Sequence, residues 1–320
     1  MTGPAPVWDV INGYAAYWAL HAAVELGLFE QLPATSAELA AATGVHDPAD
    51  VELLAQLLAA KGLLETDGER WTNSAAAERF LVATSPASMV GLVKHSPGPK
   101  QAWPALAGTL RTGHPAEPIT DALTALYPAL VAATAATQGA VARGVASELR
   151  TRGLWDGTGL VVDLGCGSGA WLDGLVGDDA TGIGVDLPHV LPAPRERTTL
   201  IGGDYLDVDL PTGEASVVVL AHVLRAESDA RAEALYRRAV DLLTDDGVLL
   251  VADYFRPPNG EKTEAYADAV HDLTLALTMR ASTPGRGLTE QTLAAWGAHT
   301  VAVVEPVPRQ RVHLIKRGTE

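Results

Sequence analysis

Two aspartates, each closing an apolar run, are the residues of this chain best placed to hold a ligand. The first lies in Val161-Val-Asp-Leu-Gly-Cys-Gly-Ser-Gly169, where a β-type run passes directly into a glycine loop of G-x-G-x-G spacing. The glycines Gly165, Gly167 and Gly169 let the backbone turn tightly and come close to a ligand, and Asp163 at the strand end can accept hydrogen bonds from an ammonium group. Seventeen residues after Gly169, a second run, Thr181-Gly-Ile-Gly-Val-Asp186, closes on another acid. In a doubly wound sheet that position meets a ribose diol.

The pair of acids narrows the ligand. A dinucleotide site favours G-x-G-x-x-G with a pyrophosphate on the helix N-terminus, whereas here the third glycine comes one residue early and Asp163 would repel a pyrophosphate. S-adenosylmethionine fits better: it has no phosphate, an ammonium that suits Asp163 and a diol that suits Asp186. A glycine loop alone could be an ordinary tight turn. Two flanking strands, each with its acid, make the cofactor site the better explanation.

These residues need a sheet to position them. From about residue 160 the sequence alternates, with strands expected at 160–164, 181–186, 199–202, 216–221 and 247–254 and helical segments between, the rhythm of a parallel sheet covered on both faces. Two final strands, 300–304 and 311–316, joined by Pro306-Val-Pro308, are expected to pair antiparallel. The expected fold is α/β: a Rossmann-like, doubly wound, mostly parallel seven-stranded sheet with its core at 158–320, which together with a helical linker makes up residues 96–320.

The N-terminal part, 1–95, reads differently. A helix is expected over Tyr14–Leu28, then a capping box at Thr35-Ser-Ala-Glu38 starts a short helix stopping at Gly44. Asp47 caps and Pro48 opens a third helix with a leucine stripe at Leu53, Leu54, Leu57 and Leu58, and Leu63 to Thr72 reads as a hairpin with Asp67-Gly68 at its tip. Helix, turn, helix and hairpin make a winged helix. The segment that would read DNA, Asp47 to Lys61, holds three acids and one lysine, so a dimerisation module is expected, its leucine stripe packing on another chain. Between the two parts, Pro86 to Arg150 reads as further helices broken at Ser96–Pro99 and Gly113–Pro115.

Composition agrees. Of 320 residues, 48 % are apolar and 19 % charged, enough for a large core, and the net charge of −16 disfavours nucleic acid as partner. No apolar run has the length and freedom from charge of a membrane span, and no signal peptide is read. The single cysteine, Cys166, excludes an internal disulfide and makes a cytoplasmic location the expectation. Its place in the glycine loop suits a small packing residue. No metal-ligand spacing is found.

The chain resembles the class I S-adenosylmethionine-dependent methyltransferases, and within them the small-molecule O-methyltransferase family with an N-terminal winged-helix dimerisation domain. The carriers are the glycine loop, Val185-Asp-Leu-Pro-His-Val190, Gly203-Asp-Tyr-Leu-Asp207, Leu243-Thr-Asp-Asp-Gly-Val-Leu-Leu250 and Gly287-Leu-Thr-Glu-Gln-Thr-Leu293. The resemblance implies a homodimer and a small-molecule substrate, with a specialised biosynthetic pathway as the expected setting. It also implies that Asp163 and Gly165 hold the methionine end of the cofactor, Asp186 takes the ribose hydroxyls, and Asp204 accepts from the adenine amino group with Tyr205 or Leu187 on the ring. Trp103 and Tyr127 fall in the segment that lines the substrate pocket, where a core role is equally open. His271 and Asp272 are adjacent on a helical stretch; Asp272 matches the acid that orients the family's base.

One departure bears on mechanism. Oxygen-methylating relatives carry a Leu-His-Asp-Trp stretch after the fourth strand, whereas this chain reads Leu220-Ala-His-Val-Leu-Arg-Ala-Glu-Ser-Asp229, which puts Arg225 at the place of the base histidine. A guanidinium stays protonated and cannot serve as base. Three alternatives stay open: Arg225 binds an anionic acceptor, His222 supplies the base, or the chain binds the cofactor and catalyses a non-methylating cyclisation or oxidative reaction. An ion pair of Arg225 with Glu227 or Asp229 is the purely structural alternative. A ligand-sensing DNA-binding regulator is a further possibility that the acidic charge opposes.

Overall fold

The computed structural model describes residues 3–95, 100–113, 119–253, 255, 270, 273–274, 277, 288–307 and 310–317. The chain forms two compact units, Met1–Ser96 and Pro97–Glu320.

The first unit contains α1 (Ala5–Glu25), α2 (Ser36–Thr43), α3 (Pro48–Ala60), the hairpin β1 (Leu64–Thr66) and β2 (Trp71–Asn73), α4 (Ala75–Phe80) and α5 (Val90–His95). The capping box at Thr35 and Glu38 forms, and the Asp47 side chain accepts from Ala49 N. Two expectations are corrected. Helix α1 begins nine residues earlier than its apolar pattern suggested, because prolines are tolerated in a first helical turn, and it ends before Gly27, whose φ is 64°. The leucine stripe of α3 does not face outward as a unit. Val51, Ala55 and Leu58 share one face by helical spacing and are buried, which leaves Leu53 exposed on the far side. The exposed apolar face lies instead on α1, at Val7, Trp8, Val10, Ile11, Tyr14 and Trp18.

The second unit holds α6 (Leu106–Thr112), the long α7 (Ile119–Thr151), β3 (Gly159–Leu164), α8 (Ala170–Leu175), β4 (Ala180–Asp186), β5 (Thr198–Gly202), β6 (Ala215–Ala221), α9 (Asp229–Leu242), β7 (Leu243–Asp253), α10 (Glu290–Ala295), β8 (His299–Val307) and β9 (Gln310–Lys316). The strands form one seven-stranded sheet in the order β5-β4-β3-β6-β7-β9-β8. Pairs from β5 to β7 are parallel, and β9 is antiparallel to both neighbours. Alternate residues build the two cores. Val161, Val217, Val219, Val248 and Leu250 pack on one face with Val141, Val145 and Leu149 of α7, while Val162, Val218, Leu220, Leu249 and Val251 face Leu235 and Ala239 of α9. The helices meet closely at Gly174 of α8, where a Cβ would come within 2.5 Å of Ala142 Cβ.

Strand order reverses at β3, which has β4 on one side and β6 on the other. Ligands of open α/β sheets bind beyond the carboxyl ends of the strands at such a switch point. Four side chains of interest stand there: Asp163 on β3, Asp186 on β4, His222 just after β6 and Asp253 on β7.

Candidate active site

On the β3–β4 side, Gly165, Gly167 and Gly169 all take left-handed backbone, with φ of 83°, 50° and 74°. A Cβ on Gly165 would meet Val223 Cγ1 at 2.3 Å, so the loop passes directly under the segment that follows β6. Asp186 grips this loop, accepting from Gly167 N and Leu187 N, each at 2.7 Å. Burial raises its pKa, and those two N–H groups pull the other way. Cys166 is buried, and burial also raises its thiol pKa, which suits packing rather than nucleophilic chemistry.

Asp163 is 1 % exposed, and neither carboxylate oxygen has a hydrogen-bond partner among the described residues. Burial, and then the charge of Asp186, push its pKa up to about 8. A buried carboxyl without a donor is costly, and a cationic ligand group is the chemistry that would relieve it. The glycine loop, Asp163 and Asp186 therefore fit the ammonium and diol of an S-adenosylmethionine-type cofactor.

Asp204 is more engaged than its sequence context suggested. Arg231, from α9, donates to its two carboxylate oxygens at 3.1 and 2.9 Å, and Leu206 N donates at 2.9 Å. These donors hold the Asp204 pKa below the usual range against the opposing effect of burial. Arg231 also donates to Glu227 at 2.7 Å, and Tyr205 donates its hydroxyl to the same carboxylate. Leu187 is exposed. Tyr127, on α7, is half-buried; burial raises its pKa, with contributions in the same direction from the charges of Asp186 and Glu227. Trp103 is half-buried. His271 and Asp272 lie outside the described residues.

Beyond β6 the two loop residues meet on a carboxylate that sequence reasoning missed. The Nη1 of Arg225 donates to Asp253 Oδ1 at 3.3 Å, both side chains being buried, where the sequence pointed to Glu227 or Asp229 as its acid. The reason is topological, because β6 and β7 are adjacent and parallel, so their carboxyl ends lie together. His222 Nδ1 stands 3.7 Å from the same Oδ1. Its backbone is left-handed, with φ 60°, and its N–H donates to Ala252 O at 2.9 Å. Across the ring, Nε2 lies 3.0 Å from Gln138 Nε2 and 3.2 Å from Gln310 Oε1. Both ring nitrogens thus face protein groups. Asp253 had a visible signal, since it closes the apolar run Val248–Ala252 just as Asp163 and Asp186 close theirs. Gln138, in an alanine-rich helix, had none.

Two family descriptions match the chain: an O-methyltransferase dimerisation domain over residues 8–83 and an O-methyltransferase domain over residues 140–296. Among curated proteins, the chain is 31 % identical to the N,N-dimethyltransferase OxyT of Streptomyces rimosus, covering 78 % of each chain. It is 28 % identical to the tetracenomycin polyketide synthesis 8-O-methyl transferase TcmO of Streptomyces glaucescens, over 92 % of this chain and 90 % of that one. Among solved structures, human N-acetylserotonin methyltransferase in complex with SAM superposes with a TM-score of 0.80 at 21 % identity, covering 100 % and 99 % of the two chains. That likeness speaks for the fold.

Proposed function

The chain belongs to the O-methyltransferase family with an N-terminal dimerisation domain, and from that premise we propose that it methylates an amine nitrogen of a small specialised metabolite. The cofactor of the family is S-adenosylmethionine, which when bound supplies an electrophilic methyl group on a sulfonium. Asp163 would hold its ammonium, Asp186 its ribose hydroxyls, and Asp204, kept ionised by Arg231, its adenine amino group.

One observation carries the choice of acceptor. Arg225, at the place of the family's base, is buried against Asp253, and His222 has both ring nitrogens turned to protein groups. Among the described residues, the loop after β6 therefore presents no side chain poised to remove a proton from a neutral hydroxyl. A neutral amine brings its own lone pair and needs no such removal before attack. It sheds its proton to solvent afterwards. The name of the 31 %-identical relative, an N,N-dimethyltransferase, supports the same acceptor class.

His222→Asn tests this directly, because asparagine tolerates the left-handed backbone that His222 adopts. Loss of a general base costs about 10²- to 10⁴-fold in turnover. With an amine acceptor the expected loss is under about tenfold, below that range. A loss in the base range, with the variant folded, would return His222 to the role of base and point to a hydroxyl acceptor.

A further inference from the structure

We infer that Trp171 and Gln138 are positioning residues that hold His222 as the neutral tautomer protonated on Nδ1, with its Nε2 lone pair capped by the Gln138 amide. This deepens the amine assignment and rests on it for its meaning, since it says why the histidine at the strand end is not a free base. Its own evidence is a chain of donors.

The chain starts from a group that can only donate. The indole N–H of Trp171, a buried residue of α8, reaches Gln138 Oε1 at 3.0 Å. Because indole has no acceptor, the amide of Gln138 must turn its oxygen to Trp171 and its NH₂ the other way. That NH₂ has two hydrogens and two neighbours: His222 Nε2 at 3.0 Å and Gln310 Oε1 at 3.4 Å. Both ends of the Gln138 amide are then engaged. Facing an N–H, His222 Nε2 must be the accepting nitrogen, so the ring proton sits on Nδ1. Nδ1 points to Asp253 Oδ1 at 3.7 Å, longer than a hydrogen bond but within reach of its charge, which favours a proton on that side. Arg225 donates to the same oxygen at 3.3 Å.

The same geometry assigns Gln310 a part. Its buried amide oxygen lies 3.2 Å from Nε2, where it would accept a hydrogen if Nε2 ever carried one. In the wild-type arrangement the donor from Gln138 holds that place. The substitution Gln138→Glu keeps the shape and the Trp171 contact but exchanges the donor at Nε2 for an acceptor. The ring would then be protonated on both nitrogens, held between the introduced carboxylate and Asp253.

The test is spectroscopic and needs no substrate. The full-length protein labelled with ¹⁵N-histidine is recorded near neutral pH in a long-range ¹H–¹⁵N correlation, in which the two tautomers and the imidazolium give distinct patterns. His222→Asn identifies the His222 signals among the nine histidines. The expected wild-type pattern is the neutral Nδ1–H tautomer, and Gln138→Glu is expected to convert it to the imidazolium. An Nε2–H tautomer or an imidazolium in the wild type would overturn the inference whether or not the variant folds. An unchanged neutral ring in folded Gln138→Glu would also overturn it. Turnover of His222→Asn decides the acceptor class separately, so failure of one assignment can be told from failure of the other.

Discussion

At the scale of single residues, Asp163 is the side chain whose chemistry is most exposed to measurement. Its carboxyl titrates at about 8 when folded against 3.8 in an ordinary setting, so between those values the folded chain binds a proton that the unfolded chain has lost. Its contribution to stability is therefore neutral below the ordinary value of 3.8 and becomes increasingly unfavourable as pH rises toward about 8. Chemical unfolding of the cofactor-free protein should show this slope, and Asp163→Asn should flatten it; parallel slopes would remove the buried, uncompensated acid from the site. The sequence made this residue legible, as it did Asp186, because an acid closing an apolar strand beside glycines has few other uses. The Arg225–Asp253 pair was less legible. Nothing local in the segment Leu220–Asp229 says that its partner stands on the next strand, and the acids weighed from sequence were all neighbours in the chain.

At the scale of elements, β3 to β6 and β9 were legible to within one residue at each end, because buried strands are short apolar runs with sharp polar ends. By contrast, β7 begins four residues before its expected start, and β8 runs three residues past its expected end, taking in Pro306 and Val307 that were expected in the joining loop. The helices were less so. Alanine-rich segments carry weak periodicity, which is why α1 began earlier than its pattern and why α3 turned a different face inward. The junction of α7 with α8, where Trp171 donates to Gln138, is close-packed at Gly174, whose missing side chain leaves room for Ala142. Gly174→Ala would drive a methyl into Ala142 and the α7 backbone, with the cost of an overpacked core, about 1–3 kcal/mol. Urea unfolding should register that loss, together with weaker cofactor binding; an unchanged midpoint would mean that the two helices separate freely.

At the scale of the molecule, the match to a dimerisation domain over residues 8–83 includes the exposed apolar face of α1, a surface that a lone chain would rarely leave open. Trp8→Glu combined with Ile11→Glu is expected to halve the mass seen by sedimentation, whereas a dimer unaffected by both would place the interface elsewhere. The central claim, methyl transfer to an amine, is met most directly by supplying methyl-labelled S-adenosylmethionine to the purified protein with matched amine and phenol acceptors at neutral pH. Label should pass to the amine in step with S-adenosylhomocysteine and leave the phenol untouched. Equal or preferred labelling of the phenol would contradict the acceptor assignment, and cofactor binding without either product would contradict methyl transfer itself.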